Sequence, residues 1–113
     1  MRTITGKIIF PPALAVVRTA RTLLEIRDLS SADVPPVVLA QRHFSHPILQ
    51  GNGQIPFDIS VPHVEPNRTL SLYVHVSLDG SGRVRSGDLM TTKHYAVPGS
   101  GPVLYLEIPV DFI

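Results

Sequence analysis

The chemistry open to this chain of 113 residues rests on five histidines, three tyrosines and nine carboxylates. His43-Phe44-Ser45-His46 places two imidazoles at the end of an apolar run. Two such ligands could begin a metal site, but zinc takes four protein ligands in structural sites and three in catalytic ones. Solvated loop histidines are the simpler reading. There is no cysteine, which excludes a thiolate metal site, a cysteine nucleophile, a disulfide framework and, as written, a lipidated N-terminal cysteine. The serines form no Gly-x-Ser-x-Gly elbow. No Gly-rich stretch joins a strand to a helix as a phosphate loop would. The expectation is a chain with no catalytic residue, no cofactor and no metal.

One further constellation is conditional on a hairpin. If Leu70–Asp79 pairs with Asp88–Val97, and Tyr95 and Val97 face the core, then Tyr73 and His75 share an outer face with Thr92 and His94. An antiparallel register placing Tyr73 opposite His94 would satisfy this. Two imidazoles and a phenol make a small ligand or partner face, or a partial metal site without a carboxylate. The plainer alternative is an ordinary exposed cross-strand set.

Charge adds little. Lys plus Arg is 10 and Asp plus Glu is 9, a formal charge of +1, so nothing draws the chain to nucleic acid. Arg18 and Arg21 fall near one connection, and Arg83 and Arg85 near another. Asp79 and Asp88 flank the second pair, so that stretch reads as a solvated loop. Asn67-Arg68-Thr69 fits a glycosylation sequon but also a turn entering a strand.

The elements that must position these residues are strands. Leu70, Leu72, Val74, Val76 and Leu78 alternate with Ser71, Tyr73, His75 and Ser77, which predicts a half-buried strand with one wet face. Weaker alternation marks Thr3–Phe10, Thr22–Leu29, Val37–Phe44, Ile55–Val61, Met90–Val97 and Leu104–Phe112. Ala13–Ile26 also carries apolar residues at helical spacing. The β-branched Val16, Val17, Thr19 and Thr22 argue against a helix there. Ala13–Arg21 is left open as helix, loop or strand extension. Turns fall at Pro35-Pro36, Pro47, Gly51-Asn52-Gly53, Pro62, Pro66-Asn67, Gly87, Pro98-Gly99 and Gly101-Pro102. Pro56 and Pro62 bracket one strand and Pro109 interrupts the last, so both should be edge or bulged strands.

The expected architecture is all-β. It is a single-domain antiparallel β-sandwich over residues 1–113, of about seven strands and immunoglobulin/prealbumin-like. The 43% hydrophobic content argues against disorder. The longest apolar stretch, Ile8–Val17, is broken by Pro11 and Pro12 and is too short to cross a bilayer. No direct membrane insertion is expected. As written the chain reads as soluble and cytoplasmic, or as periplasmic or outer-membrane-associated if a leader has been removed.

Several stretches resemble a family. Asp28-Leu29-Ser30-Ser31-Ala32-Asp33-Val34-Pro35 is similar to the D-V-S-x-A-D-A-P stretch of the YbaY/YscW-type small bacterial lipoproteins. Ile55-Pro56-Phe57-Asp58-Ile59 resembles their I-P-F-x-L strand. Val64 through Val76 is similar to their I-x-P-x-x-x-Y-x-V-x-A-x-I stretch. Thr91 through Val97 resembles their T-x-x-x-Y-P-V strand. The resemblance implies an all-β sandwich without established catalytic residues. It includes type III secretion pilotins, which chaperone a secretin subunit to the outer membrane. As written, the sequence departs from the family's pattern, with no lipid-bearing cysteine and first residues that do not read as a signal peptide. The resulting expectation is a non-enzymatic binding module for a segment of a secretin or envelope protein. A small-ligand protein for a carbohydrate or lipid is the alternative, and self-association through an edge strand is a further possibility.

Overall fold

In the computed structural model of the chain, the described residues are 2–16, 20–30, 35–45, 51–62, 64, 67–97 and 105–113. They form nine strands and no helix, in two packed sheets. The smaller sheet has the order β4-β1-β8, with β1 (Arg2–Ile9), β4 (Gln54–Val61) and β8 (Tyr105–Pro109). The larger sheet contains β2 (Arg21–Asp28), β3 (Val37–Ser45), β5 (Leu70–Ser77), β6 (Leu89–Met90), β7 (Tyr95–Val97) and β9 (Asp111–Phe112). Its order is β3-β2-β5-β6-β9, and β7 also pairs with β5.

Alternation builds the small sheet. In β4, Ile55, Phe57, Ile59 and Val61 are buried while Gln54, Pro56, Asp58 and Ser60 are exposed. Ile4, Ile8 and Phe10 do the same from the neighbouring strand. A period of two residues puts every such side chain on one face. These rows meet Leu24, Ile26, Leu70, Leu72, Val74 and Val76 of the large sheet, and the core lies between the two layers. As Pro56 within it and Pro62 just after it suggest, β4 is an edge strand.

The structure corrects three expectations. The seven apolar runs become nine strands, because two runs are divided. Met90–Val97 splits into the C-terminal residue of β6 and all of β7, while Thr91 ties back to Val74: its N–H donates to Val74 O at 3.0 Å, and its Oγ1 accepts from Val74 N–H at 3.2 Å. Leu104–Phe112 divides at Val110, where the chain leaves the small sheet and pairs with β6 in the large one. Phe112, apolar and in phase with the core row, is therefore 45% exposed.

Second, the sandwich is not wholly antiparallel, since β1 and β8 run parallel from Thr5↔Tyr105 to Ile9↔Pro109. Third, the outer face of β5 is largely covered, with only Tyr73 half-buried on it. The strand is central, and Ser71, His75 and Ser77 are buried beside its apolar row. The stretch that also carries helical spacing follows the strand reading of Thr22–Leu29. Arg21–Asp28 is strand, Ala13–Val16 lies outside the strands, and residues 17–19 fall outside the described ones.

Two stretches that carry the family resemblance meet in space. The Asp28 carboxylate accepts from Ser30 N–H at 2.9 Å and from Ser30 Oγ, and pairs with Arg68 at 3.3 Å. Thr69 N–H donates to Ser30 Oγ at 2.9 Å, and Leu29 N–H donates to Thr69 O at 2.8 Å. These residues clip the exit of β2 to the entry of β5. A capped turn of this kind satisfies backbone groups that leave the ladder. The remainder of the first stretch, 31–34, and Glu65-Pro66 of the second lie outside the described residues, as do Pro47, Pro98-Gly99, Gly101-Pro102 and Leu104.

Candidate functional site

The large sheet ends on one side in β3, whose other neighbour is β2 alone among the described residues. Nine residues long, β3 is exposed or half-exposed throughout, with Val37 at 56% and Val38 at 44%. An unpaired strand edge presents a row of free N–H and C=O groups. Its pairing with β2 shifts between Ile26/Arg27, so Leu39 is an extra residue in the ladder. Such a bulge twists the strand and partly protects the edge.

The edge of β3 lies beside that of β4, and Arg42 joins them. Its guanidinium donates to Asp58 O at 3.0 Å, pairs with the Asp58 carboxylate and sits 5.3 Å from the centre of the Phe44 ring. Beside this link is an open depression of about 360 Å³ lined by Thr5, Arg42, Phe44, Pro56, Phe57 and Asp58. A segment following β3 would therefore find backbone groups along the strand and an aromatic recess near its end. No period-2 signal marked this surface in advance, although Arg42 was a polar interruption in an apolar run.

The four residues expected on the outer face divide. Tyr73, Thr92 and His94 line one shallow depression of about 250 Å³, together with Arg27, Leu29 and Lys93. Arg27 lies 3.5 Å over the Tyr73 ring and donates to Glu25 Oε1 from Nε at 2.9 Å and Nη2 at 2.7 Å. Burial pushes the Tyr73 hydroxyl up, and the Arg27 charge partly offsets it. The register of β5 with β7 runs through Leu70↔Val97, Ser71↔Ala96 and Leu72↔Tyr95, and its continuation would set Tyr73 opposite His94. The ladder stops before that pair.

His75 is elsewhere. Its ring is 3% exposed, and Nε2 lies 2.9 Å from Asp88 Oδ2. Asp88 also accepts from Leu78 N–H at 3.1 Å and Arg85 N–H at 3.0 Å. This carboxylate therefore holds the β5–β6 connection over the outer side of β5. Burial pushes the Asp88 carboxyl up, but its hydrogen bonds from His75, Leu78 and Arg85 outweigh that and leave it below the usual carboxylate range. Arg85 pairs with Asp79 at 3.2 Å. His43 is exposed on β3, and His46 lies outside the described residues. Among the described residues no three His, Asp or Glu side chains come together as a metal site would require.

An acid-dependent loss of stability follows from three carboxylates. Asp28, Asp79 and Asp88 are all lowered from 3.8, Asp79 to about 2 through the Ser81 backbone N–H. Below the unfolded value the unfolded chain binds more protons than the folded one, so stability falls as pH falls. Melting temperature should hold above about pH 5 and decline steadily below it. A melting temperature unchanged between pH 5 and pH 2.5 would contradict this assignment of the carboxylates.

No protein-family model matches the chain. No curated protein matches it either. Among solved structures it is similar to that of an alternative pilotin from the type II secretion system of Vibrio cholerae. That likeness has a TM-score of 0.78 at 20% identity and covers 99% of this chain and 96% of that one. It shows that the chain has the fold of that protein. The more specific YbaY/YscW resemblance rests on the stretches quoted above. No helix among the described residues is long and apolar enough to cross a membrane.

Proposed function

We propose that the chain is a non-enzymatic binding module that takes up an extended segment of a secretin or another envelope protein along the free edge of β3. The observation that carries this reading is the nine-residue edge with exposed Val37 and Val38, adjoining an aromatic recess at Phe44 and Phe57. Strand addition draws affinity from main-chain hydrogen bonds and specificity from pockets for alternate side chains. The pilotin fold and the sequence resemblance support the choice of partner class.

The test uses synthetic peptides spanning the C-terminal region of a secretin, titrated into the purified protein. One peptide should bind, and Val38→Lys should weaken it by about tenfold or more, because an edge lysine opposes strand pairing. Val38 is exposed, so the melting temperature of this variant should stay within a few degrees. Absence of binding by every peptide, or full binding by the variant, would overturn the reading.

A further inference from the structure

The turn Gly51-Asn52-Gly53, which leads into β4, sets an exposed side-chain amide next to an unshielded backbone nitrogen. Asn52 is exposed and lies in the left-handed region with φ of 59°, a conformation asparagine tolerates better than most residues. Its amide makes no hydrogen bond to another described residue. The residue after it has no Cβ to cover its nitrogen. The residues on either side of Asn52 are fastened. Gly51 N–H donates to Leu14 O at 3.0 Å, and Phe10 N–H donates to Gly53 O at 3.0 Å. Phe10 and Leu14 both belong to the core, and a Cβ at Gly51 would stand 2.3 Å from Pro12 O. The backbone between residues 51 and 53 is therefore anchored at both ends. Asn67, the other asparagine of the chain, is exposed as well. It precedes Arg68, whose side chain crowds the nitrogen that would have to react, and Thr69 N–H is held by Ser30 Oγ at 2.9 Å.

We infer that Asn52 is a site of spontaneous modification, converting through a cyclic imide to isoaspartate and aspartate, and that the isoaspartate form releases this turn from Phe10 and Leu14. The Gly53 nitrogen gives its proton to solvent and attacks Asn52 Cγ. A C–N bond forms, the side-chain nitrogen leaves as ammonia, and a five-membered imide closes. Water then opens the ring at one of its two carbonyls. Attack at Cγ gives aspartate with the main chain unchanged. Attack at the main-chain carbonyl carbon of residue 52 gives isoaspartate, in which the main chain runs through the former side chain. Nothing is oxidised or reduced, and water is the only co-reactant. Aspartate fits the same turn, because it too tolerates the left-handed region. Isoaspartate adds one atom to the backbone between two fixed anchors, so the Gly51 and Gly53 hydrogen bonds cannot both keep their geometry. The inference uses none of the β3 residues, so it and the binding edge can fail separately.

The test ages the purified full chain in mildly alkaline buffer at body temperature and maps it by peptide mass spectrometry, with an isoaspartyl methyltransferase to label the isomer. The peptide containing Asn52 should gain one mass unit and take the label, while the peptide containing Asn67 stays unchanged over the same time. Gly53→Ala should slow the conversion about tenfold, the effect of a small steric rise in the barrier. Its fold should persist, since the positive φ values among the described glycines lie at Gly80, Gly82 and Gly87. The isoaspartate fraction, separated by chromatography, should melt about 5 °C below fresh protein, the scale of one lost hydrogen bond in a chain of this size. Its amide protection should fall at Phe10 and Gly51. Asn52→Asp has the product's charge on an unaltered backbone and should melt with fresh protein. An Asn52 peptide that stays intact in the folded chain but converts in denaturant would overturn the inference. So would conversion of Asn67 at the same rate, conversion of Gly53→Ala at the wild-type rate, or an isoaspartate fraction that melts with fresh protein.

Discussion

Gly6→Ala is expected to destabilise the protein by about 3 kcal/mol or more, the upper part of the range for forced overpacking. A Cβ at this position would stand 1.9 Å from Leu106 O, 2.9 Å from Leu106 C and 2.9 Å from the Phe57 ring. The register explains the crowding, because Gly6 faces Phe57 on one side and Leu106 on the other in the middle strand of the small sheet. A flexible side chain could yield, but the nearer obstacle is the backbone of β8. Moving it would disturb the parallel pairing from Thr5 to Ile9. On a total stability of order 5–15 kcal/mol, the melting temperature should fall by roughly 10–20 °C. Two controls separate causes. Phe57→Leu added to Gly6→Ala should not rescue, since the clash with Leu106 O remains. Gly82→Ala, with φ of 79° and open space around it, should lose only about 1–2 kcal/mol from backbone strain. Thermal melts in which Gly6→Ala matched the wild type would show that β8 does not approach β1 as described.

Gly6 also shows what alternation reveals. It sits in phase with Ile4, Ile8 and Phe10, so its place on the inner face was readable from the sequence, while the identity of its neighbours was not. Period-2 patterning reports which side chains face inward. It carries no information about the partner strand or its direction, so the parallel pairing of β1 with β8 left no mark.

Insertions of two residues are equally silent. The pairing of β5 with β6 sets His75 opposite Met90, and its pairing with β7 sets Leu72 opposite Tyr95. Between them the chain gains two residues over a straight ladder, and Leu89, Tyr95 and Val97 keep the same parity. Met90–Val97 therefore read as one strand. The register continuing toward Tyr73 and His94 was legible because it belongs to β7, and only its interruption was hidden. The change of sheet at Val110 is silent for the same reason: Ile108, Val110 and Phe112 alternate as before.

The edges are legible in a different way. Proline removes a donor, so Pro56 and Pro62 marked β4 as an edge whatever its neighbour. Nothing similar marks β3. Its run from Val37 to Ala40 looks as buried as any other apolar stretch, and its exposure follows from its terminal place in the sheet. A surplus of apolar side chains on an exposed edge is the residue pattern that a binding strand and a buried strand share. Sequence alone could not separate them.

The second large effect concerns a residue that sequence reading assigned to a solvated loop. Asp88→Ala should cost about 2–4 kcal/mol, since it leaves the buried His75 ring unpaired and removes two further hydrogen bonds. Asp88 is 4% exposed and receives three donors: the His75 ring, Leu78 N–H and Arg85 N–H. Truncation removes the acceptor that all three share, and the buried His75 ring that loses its partner pays its full desolvation. The backbone of Asp88 adds a further constraint, since its O accepts from Ile113 N–H at 3.0 Å and Gly87 N–H donates to Ile113 O at 2.7 Å. Loosening the β5–β6 connection should therefore also release the pairing of β6 with β9. Asp88→Asn keeps an acceptor and most of the volume, so it should cost less than alanine. His75→Ala should cost less again, because the two backbone donors keep the carboxylate. Amide exchange gives the local readout. In Asp88→Ala, protection should be lost first at Leu78, Arg85 and Ile113, while β1 and β4 keep theirs until global unfolding. Equal stability of the alanine variant and the wild type, or uniform loss of protection across both sheets, would show that Asp88 does not hold this end of the sandwich together.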